Sequence, residues 1–289
     1  MLSVGHLLEA ITTKDGESLH TNSRDWTLRA LLDELMTGPF DPISDQIVAY
    51  VNRRSEHSKD GDTLPEVVGL VYDRATQEYW TSSATVYARL CTKLVEQISP
   101  NVCDEDIRDA QGKAIAGGQL FRKYLLSRCK ENFERAWGAT AHAPEAGGKN
   151  EMPLETPKVE ESSPYDDSRT AQEAIAGRHN VNVVAFMGEL FILRMLTERI
   201  IHKSIETLLT KAENLNLGAI ECLCTLLTVV GRALDTPKVR AHMHVYFSRL
   251  EELRQSSSIE CRERVMIQDV IVLRAHGWVA PANGYTWDG

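Results

Sequence analysis

Residues 182–209 read NVVAFMGELFILRMLTERIIHKSIETLL, and residues 221–235 read ECLCTLLTVVGRALD. No proline interrupts residues 165–236. In the second part, Ile220, Leu223, Cys224, Leu227, Val230, Gly231 and Leu234 recur at steps of three and four, which places them on one face of a helix. Residues 183–196 are apolar nearly all round, as suits a helix enclosed by neighbours. The stretch therefore reads as two long helices joined by a polar turn at 211–216, packed antiparallel. A lone pair leaves a face uncovered, so similar pairs must stack on either side.

Working outward, the flanks supply them. A helix is expected from Trp26 through LRALLDELM, halted by Gly38-Pro39, and a second over 40–51. A third opens at a Thr63/Glu66 capping box with Pro65 in its first turn and runs to about residue 78. A fourth covers 84–98 and stops before Pro100. Gly117-Gly118 reads as a turn ahead of a helix at 120–137. After the central stretch come helices at 238–254 and 259–276, the last closed by Gly277. No strand is required. Pairs recur roughly every 40 residues, the spacing of HEAT-type repeats. The expected fold is all-α: a HEAT/ARM-type α-solenoid of about five antiparallel helix pairs.

The composition fits such a domain, with 43% hydrophobic and 25% charged residues in 289. The net charge of −9 is uneven. Residues 138–168 hold two lysines against seven acids and four of the ten prolines, leaving 30 basic against 34 acidic residues elsewhere. That balance argues against a strongly basic nucleic-acid groove. Residues 138–168 lack the branched aliphatics that would offset ordering and are expected to be a disordered acidic insertion. The expected layout is a frayed start at 1–23, a repeat domain at 24–279 and a tail at 280–289. The apolar run nearest to a membrane span, 183–201, is interrupted by Glu189, Arg194, Glu198 and Arg199. No signal peptide is expected from the N-terminal residues. The six cysteines lack framework spacing and read as reduced thiols of the cytosol or nucleus.

Chemical motifs are sparse. Cys222 and Cys224, like His242 and His244, stand two apart on a helix and so point in different directions. No glycine-rich phosphate loop or nucleophile elbow occurs, and Glu251-Glu252 reads as a solvated face. The expectation is a binding protein, not an enzyme, with no cofactor, metal site, small-molecule substrate or membrane partner.

Several blocks, in order, resemble the middle domain of eukaryotic translation initiation factor 4 gamma. They are FDPISDQI at 40–47, VYARLCTKLVEQISPNVCDE at 86–105, FRKYLLSRCKENFERAW at 121–137, FMGELFILRMLTERIIHKSIETLL at 186–209, ECLCTLLTVVGRALD at 221–235 and RVMIQDVIVLRAHGWV at 264–279. The second block is closest to the fungal version, and the resemblance as a whole covers about residues 31–279. The resemblance implies a crescent of five helix pairs in the cytoplasm. It also implies that the crescent clamps the DEAD-box RNA helicase initiation factor 4A, with contacts to mRNA and other initiation factors. The family's last helix opens S-S-R-I-R-F-M-L-Q-D-V and faces the helicase. Here Arg262 and Arg264 match it, Val265 replaces the aromatic and Glu263 replaces an apolar residue. The resemblance thus nominates Arg262, Arg264 and Val265 as helicase-binding, with Met266, Val270 and Leu273 as core. The two substitutions weaken the expected contact, because aromatic and arginine anchors dominate many interfaces. The family's W-x-P arm has no counterpart, and Trp26 does not align with it. The cap-binding-protein docking motif is missing, and the basic stretch before the long central helix is reduced to Gly177-Arg178-His179. Full family members are far longer, so the chain reads as a fragment, an incomplete gene model or a short relative. A relative that sequesters the helicase, or binds another DEAD-box protein in mRNA regulation or decay, stays open beside the scaffold.

Overall fold

The computed structural model describes residues 20–57, 63–77, 83–138 and 164–279. Ten helices lie among them. They are α1 (His20–Leu35), α2 (Phe40–His57), α3 (Thr63–Ala75), α4 (Ser83–Gln97), α5 (Gly117–Trp137), α6 (Pro164–Ile192), α7 (Glu198–Glu213), α8 (Leu217–Leu234), α9 (Arg240–Gln255) and α10 (Cys261–Ala275). The expected frayed start, acidic insertion and tail fall mostly outside the described residues. Within them, α1 already begins at His20 and α6 at Pro164, inside stretches read as unstructured.

The contacts follow sequence order. Each consecutive pair packs together: α1 on α2, α3 on α4, α5 on α6, α7 on α8 and α9 on α10. The odd helices then pack in a row, α1–α3–α5–α7–α9, and so do the even ones, α2–α4–α6–α8–α10. Two parallel rows of helices, each touching only near neighbours in the chain, are the signature of a solenoid. One continuous core runs between them, from Leu28 through Tyr87, Phe121, Phe186 and Leu223 to Val270.

α8 is the spine, packed against α6, α7 and α10. The seven residues expected on one face are all buried, and so are Ala219, Cys222 and Leu226. By length and composition α8 alone among the described helices is apolar enough to cross a membrane, with mean hydropathy 1.7. The sequence pattern pointed instead to 183–201. Here the apolar surface of α8 is spent on the core, where each buried large side chain contributes ~1.5–3 kcal/mol.

Two expectations need correction. First, the central stretch holds three helices, because the chain breaks between α6 and α7. Met195 N–H donates to Leu190 C=O at 2.8 Å and Arg194 N–H to Phe191 C=O at 2.9 Å, with Arg194 left-handed at φ 59°. This is a Schellman termination without its usual glycine. It holds because Met195 and Leu196 bury themselves and because Arg122 of α5 donates to Met195 C=O at 2.7 Å. Second, strands do occur. β1 (Cys103–Arg108) pairs antiparallel with β2 (Ala114–Ala116) between α4 and α5. The hairpin leads straight into Gly117 at φ 58°, so the glycine pair opens α5 instead of forming a separate turn. Gly118 lets α5 lie against α4: a Cβ there would sit 1.7 Å from Val95 O.

Candidate protein-interaction surface

The nominated residues lie at the start of α10, at the end of the even row. α9 stops at Gln255, and a serine-rich turn leads to Glu260, the N-cap of α10. Ile259 is buried and pins this turn to the core. Arg264 folds back over the turn, its Nη2 donating to Ile259 C=O at 2.9 Å and Ser256 C=O at 3.2 Å. Its guanidinium is thereby committed to holding the α9–α10 corner.

Arg262 and Val265, one helical turn apart, point outward instead. The Arg262 side chain is 70% exposed, with a single contact to Glu221 Oε1 of α8 at 3.2 Å. Val265 is 53% exposed, one of several large apolar side chains left open on the described helices. Glu263, which looked like a charge placed on the contact face, is only 6% exposed, with Oε2 buried and unpartnered. It therefore does not stand on the outward face at all. Val270 is core, Met266 packs at its margin and Leu273 is half-buried, while Ile267, not singled out from the sequence, is fully buried.

A lock at the other end of α10 fixes its orientation. Arg274 Nε pairs with Asp235 Oδ2 at 2.9 Å, both side chains about 15% exposed. Its Nη1 donates to Met243 C=O at 3.2 Å, and its guanidinium lies 4.4 Å from the Phe247 ring centre. Trp278 stacks edge-on against Phe247 and donates its indole N–H to Asp235 Oδ2 at 3.3 Å. Burial pushes the Asp235 carboxyl up, but the bonds from Arg274 and Trp278 outweigh it and hold the group below its ordinary value of 3.8. Arg274 is four residues from Val270 in the core, so this knot and the Arg264 corner hold α10 at both ends. Sequence reading assigned Arg274, Asp235 and Trp278 no role, because the three come together only when α8, α10 and the following turn are stacked.

At the start of the same row, Phe40 opens α2 with the Arg89 guanidinium 4.1 Å from its ring centre. Lys93 sits beside them, paired with Asp45 at 2.7 Å. The even row therefore carries an arginine–apolar cluster at each end.

Four of the six thiols are buried, and Cys103 and Cys261 are exposed. Burial pushes Cys129, Cys222 and Cys224 up to about 12 and Cys91 well upward. No group of three potential metal ligands occurs among the described residues. His242 does not join His244; its ring lies 5.4 Å from that of His202, which bonds the Tyr246 hydroxyl at 3.0 Å.

The model of the MIF4G domain family matches residues 6–277. The chain is 36% identical over 252 residues to eukaryotic translation initiation factor 4 gamma of Schizosaccharomyces pombe, covering 87% of this chain and 17% of that one. It is 32% identical over 267 residues to eukaryotic translation initiation factor 4 gamma 3 of Mus musculus, covering 92% and 15%. The chain thus spans less than a fifth of the length of these curated relatives. Among solved structures, the MIF4G domain of Trypanosoma cruzi translation initiation factor EIF4G5 aligns with TM-score 0.47 and 14% identity, covering 87% of this chain and 97% of that one.

Proposed function

The chain belongs to the MIF4G domain family, and from that premise we propose that it is a cytoplasmic translation-initiation scaffold. It binds the DEAD-box RNA helicase initiation factor 4A through the even row of helices and raises the helicase's activity. The observation that carries the reading is the match to initiation factor 4 gamma along most of the chain; the outward position of Arg262 and Val265, two of the residues nominated by resemblance, supports it. The scaffold performs no reaction. It binds a closed arrangement of the helicase domains more tightly than an open one, and the difference in affinity sets how far the population shifts. A rigid row of helices with a cluster at each end suits a partner made of two domains. mRNA and other initiation factors are further partners on this reading.

Arg264 enters as a positioning residue, because its Nη2 is bonded to two carbonyls of the α9–α10 corner. The test is calorimetric titration of the helicase into wild type, Arg262→Ala and the double variant Arg262→Ala/Val265→Ala. The double variant is expected to bind at least ~10-fold more weakly, about 1.4 kcal/mol, with helicity unchanged. Equal affinity for wild type and the double variant removes the assignment of the surface.

A further inference from the structure

On the opposite layer from the helicase surface, α5 and α7 leave a groove of about 1290 Å³ between them. Its apolar lining comes from Leu126, Phe133, Trp137, Leu196 and Ile200. Its charged lining is Arg122, Lys123, Lys130, Lys203 and Lys211, against only Glu134 and Glu206. Lys130 lies 3.9 Å from Glu134. Lys123, Lys203 and Lys211 have no carboxylate within ion-pairing distance among the described residues. An acidic protein thus gathers unpaired cations around an apolar trough, which calls for an anionic occupant bearing apolar side chains. Phosphate-rich RNA would satisfy the lysines but leave the aliphatic lining without a match, so a peptide fits better than a nucleic acid.

The chain itself carries such a peptide, and it starts at the groove. Trp137 and Gly138 both line the trough, and residues 139–163 leave from that point to rejoin at Pro164. They hold Glu145, Glu151, Glu155, Glu160 and Glu161 against Lys149 and Lys158, with Met152, Leu154 and Val159 as apolar residues. Twenty-five residues reach at most ~80–90 Å when extended. α5, with 21 residues, is about 30 Å long. The segment is long enough to run along the groove and return to α6.

We propose that the groove between α5 and α7 is the docking site of the acidic segment 139–163 of the same chain. The cationic rim holds its glutamates, and the apolar floor takes Met152, Leu154 or Val159. The inference is independent of the helicase reading, since the two surfaces lie on different layers.

Carbodiimide coupling of the full-length protein tests it, because the reagent joins carboxylates to amines only where they touch. Mass spectrometry is expected to find links from the glutamates of 139–163 to Lys123, Lys130, Lys203 and Lys211 in preference to Lys113 and Lys238. In the Lys203→Glu/Lys211→Glu variant, the links to Lys123 and Lys130 should fall about fivefold, as loss of two weak ion pairs predicts, with helicity retained. Links spread over all exposed lysines and unchanged in the variant overturn the proposal. In an equal mixture of heavy- and light-isotope protein, the links should stay within one isotope. Mixed-isotope links assign the groove to a second copy, and protection of the groove lysines by single-stranded RNA without segment links assigns it to nucleic acid. Either result overturns the proposal.

Discussion

Arg262 and Arg264 stand two residues apart and do different work. Arg264 makes two charge-assisted bonds to main-chain carbonyls at a corner the fold depends on. Arg264→Ala is expected to lower stability by ~1–2 kcal/mol in urea titrations. Arg262 makes one exposed ion pair, so Arg262→Ala should change stability by less than ~0.5 kcal/mol while weakening helicase binding. A large stability loss from Arg262→Ala would place it in the framework instead. Asp235 gives a pH test. Its carboxyl is held below its ordinary 3.8, so the folded state binds that proton less readily than the unfolded chain. The stabilisation is complete above the ordinary value and lost as pH falls through the lower, folded one. Thermal melts taken downward through this range should show a steeper acid loss for wild type than for Asp235→Asn, which starts less stable. Parallel curves would show that the Asp235–Arg274 pair contributes nothing.

At the level of helices, packing overrides local preference, and one pair of glycines shows it. Gly69 lies in α3 with nothing within 4 Å of a Cβ built on it. Gly69→Ala should therefore stabilise the protein by up to ~1 kcal/mol, the ordinary helix-propensity gain. Gly118→Ala should reverse the sign and cost ~2 kcal/mol or more, because its Cβ would overlap the Val95 backbone of α4. Chemical denaturation of the two variants side by side measures both. If Gly118→Ala also stabilises, the close approach of α4 and α5 is wrong. The same override decides which elements were legible. Helices ending at proline or glycine, such as α1 and α10, could be read from the chain. The α6–α7 break was hidden because Arg194 takes the left-handed position that glycine usually marks, within a run that stays apolar. Leu215 does the same at the end of α7, at φ 61°, where only the polar neighbours gave the turn away. The β1–β2 hairpin was missed because β1 is mostly charged, β2 is only three residues long and neither alternates. Its anchors, Tyr124 bonding to Asp104 and Gly117 N–H donating to Val102 C=O at 2.7 Å, lie outside the strands' own pattern.

For the molecule as a whole, the order of contacts is the principal result. Helical periodicity announced the solenoid because each pair needs its neighbours to bury both faces, and the two rows of five helices meet that need. The candidate surface was only partly legible. Resemblance named three residues, but which of them face outward depends on the α9–α10 corner, and that corner turned Arg264 inward, buried Glu263 and left Arg262 and Val265 exposed. The groove was invisible in the sequence, because its cations come from α5 and α7, roughly 80 residues apart in the chain. The central claim is that this stack acts by favouring one arrangement of a two-domain motor. The most direct measurement is the RNA-dependent ATPase rate of initiation factor 4A at saturating RNA and ATP, with and without this protein. The account predicts a higher rate with wild-type protein and a smaller rise with Arg262→Ala/Val265→Ala at the same concentration. A rate that stays flat or falls while the two proteins demonstrably bind would contradict it.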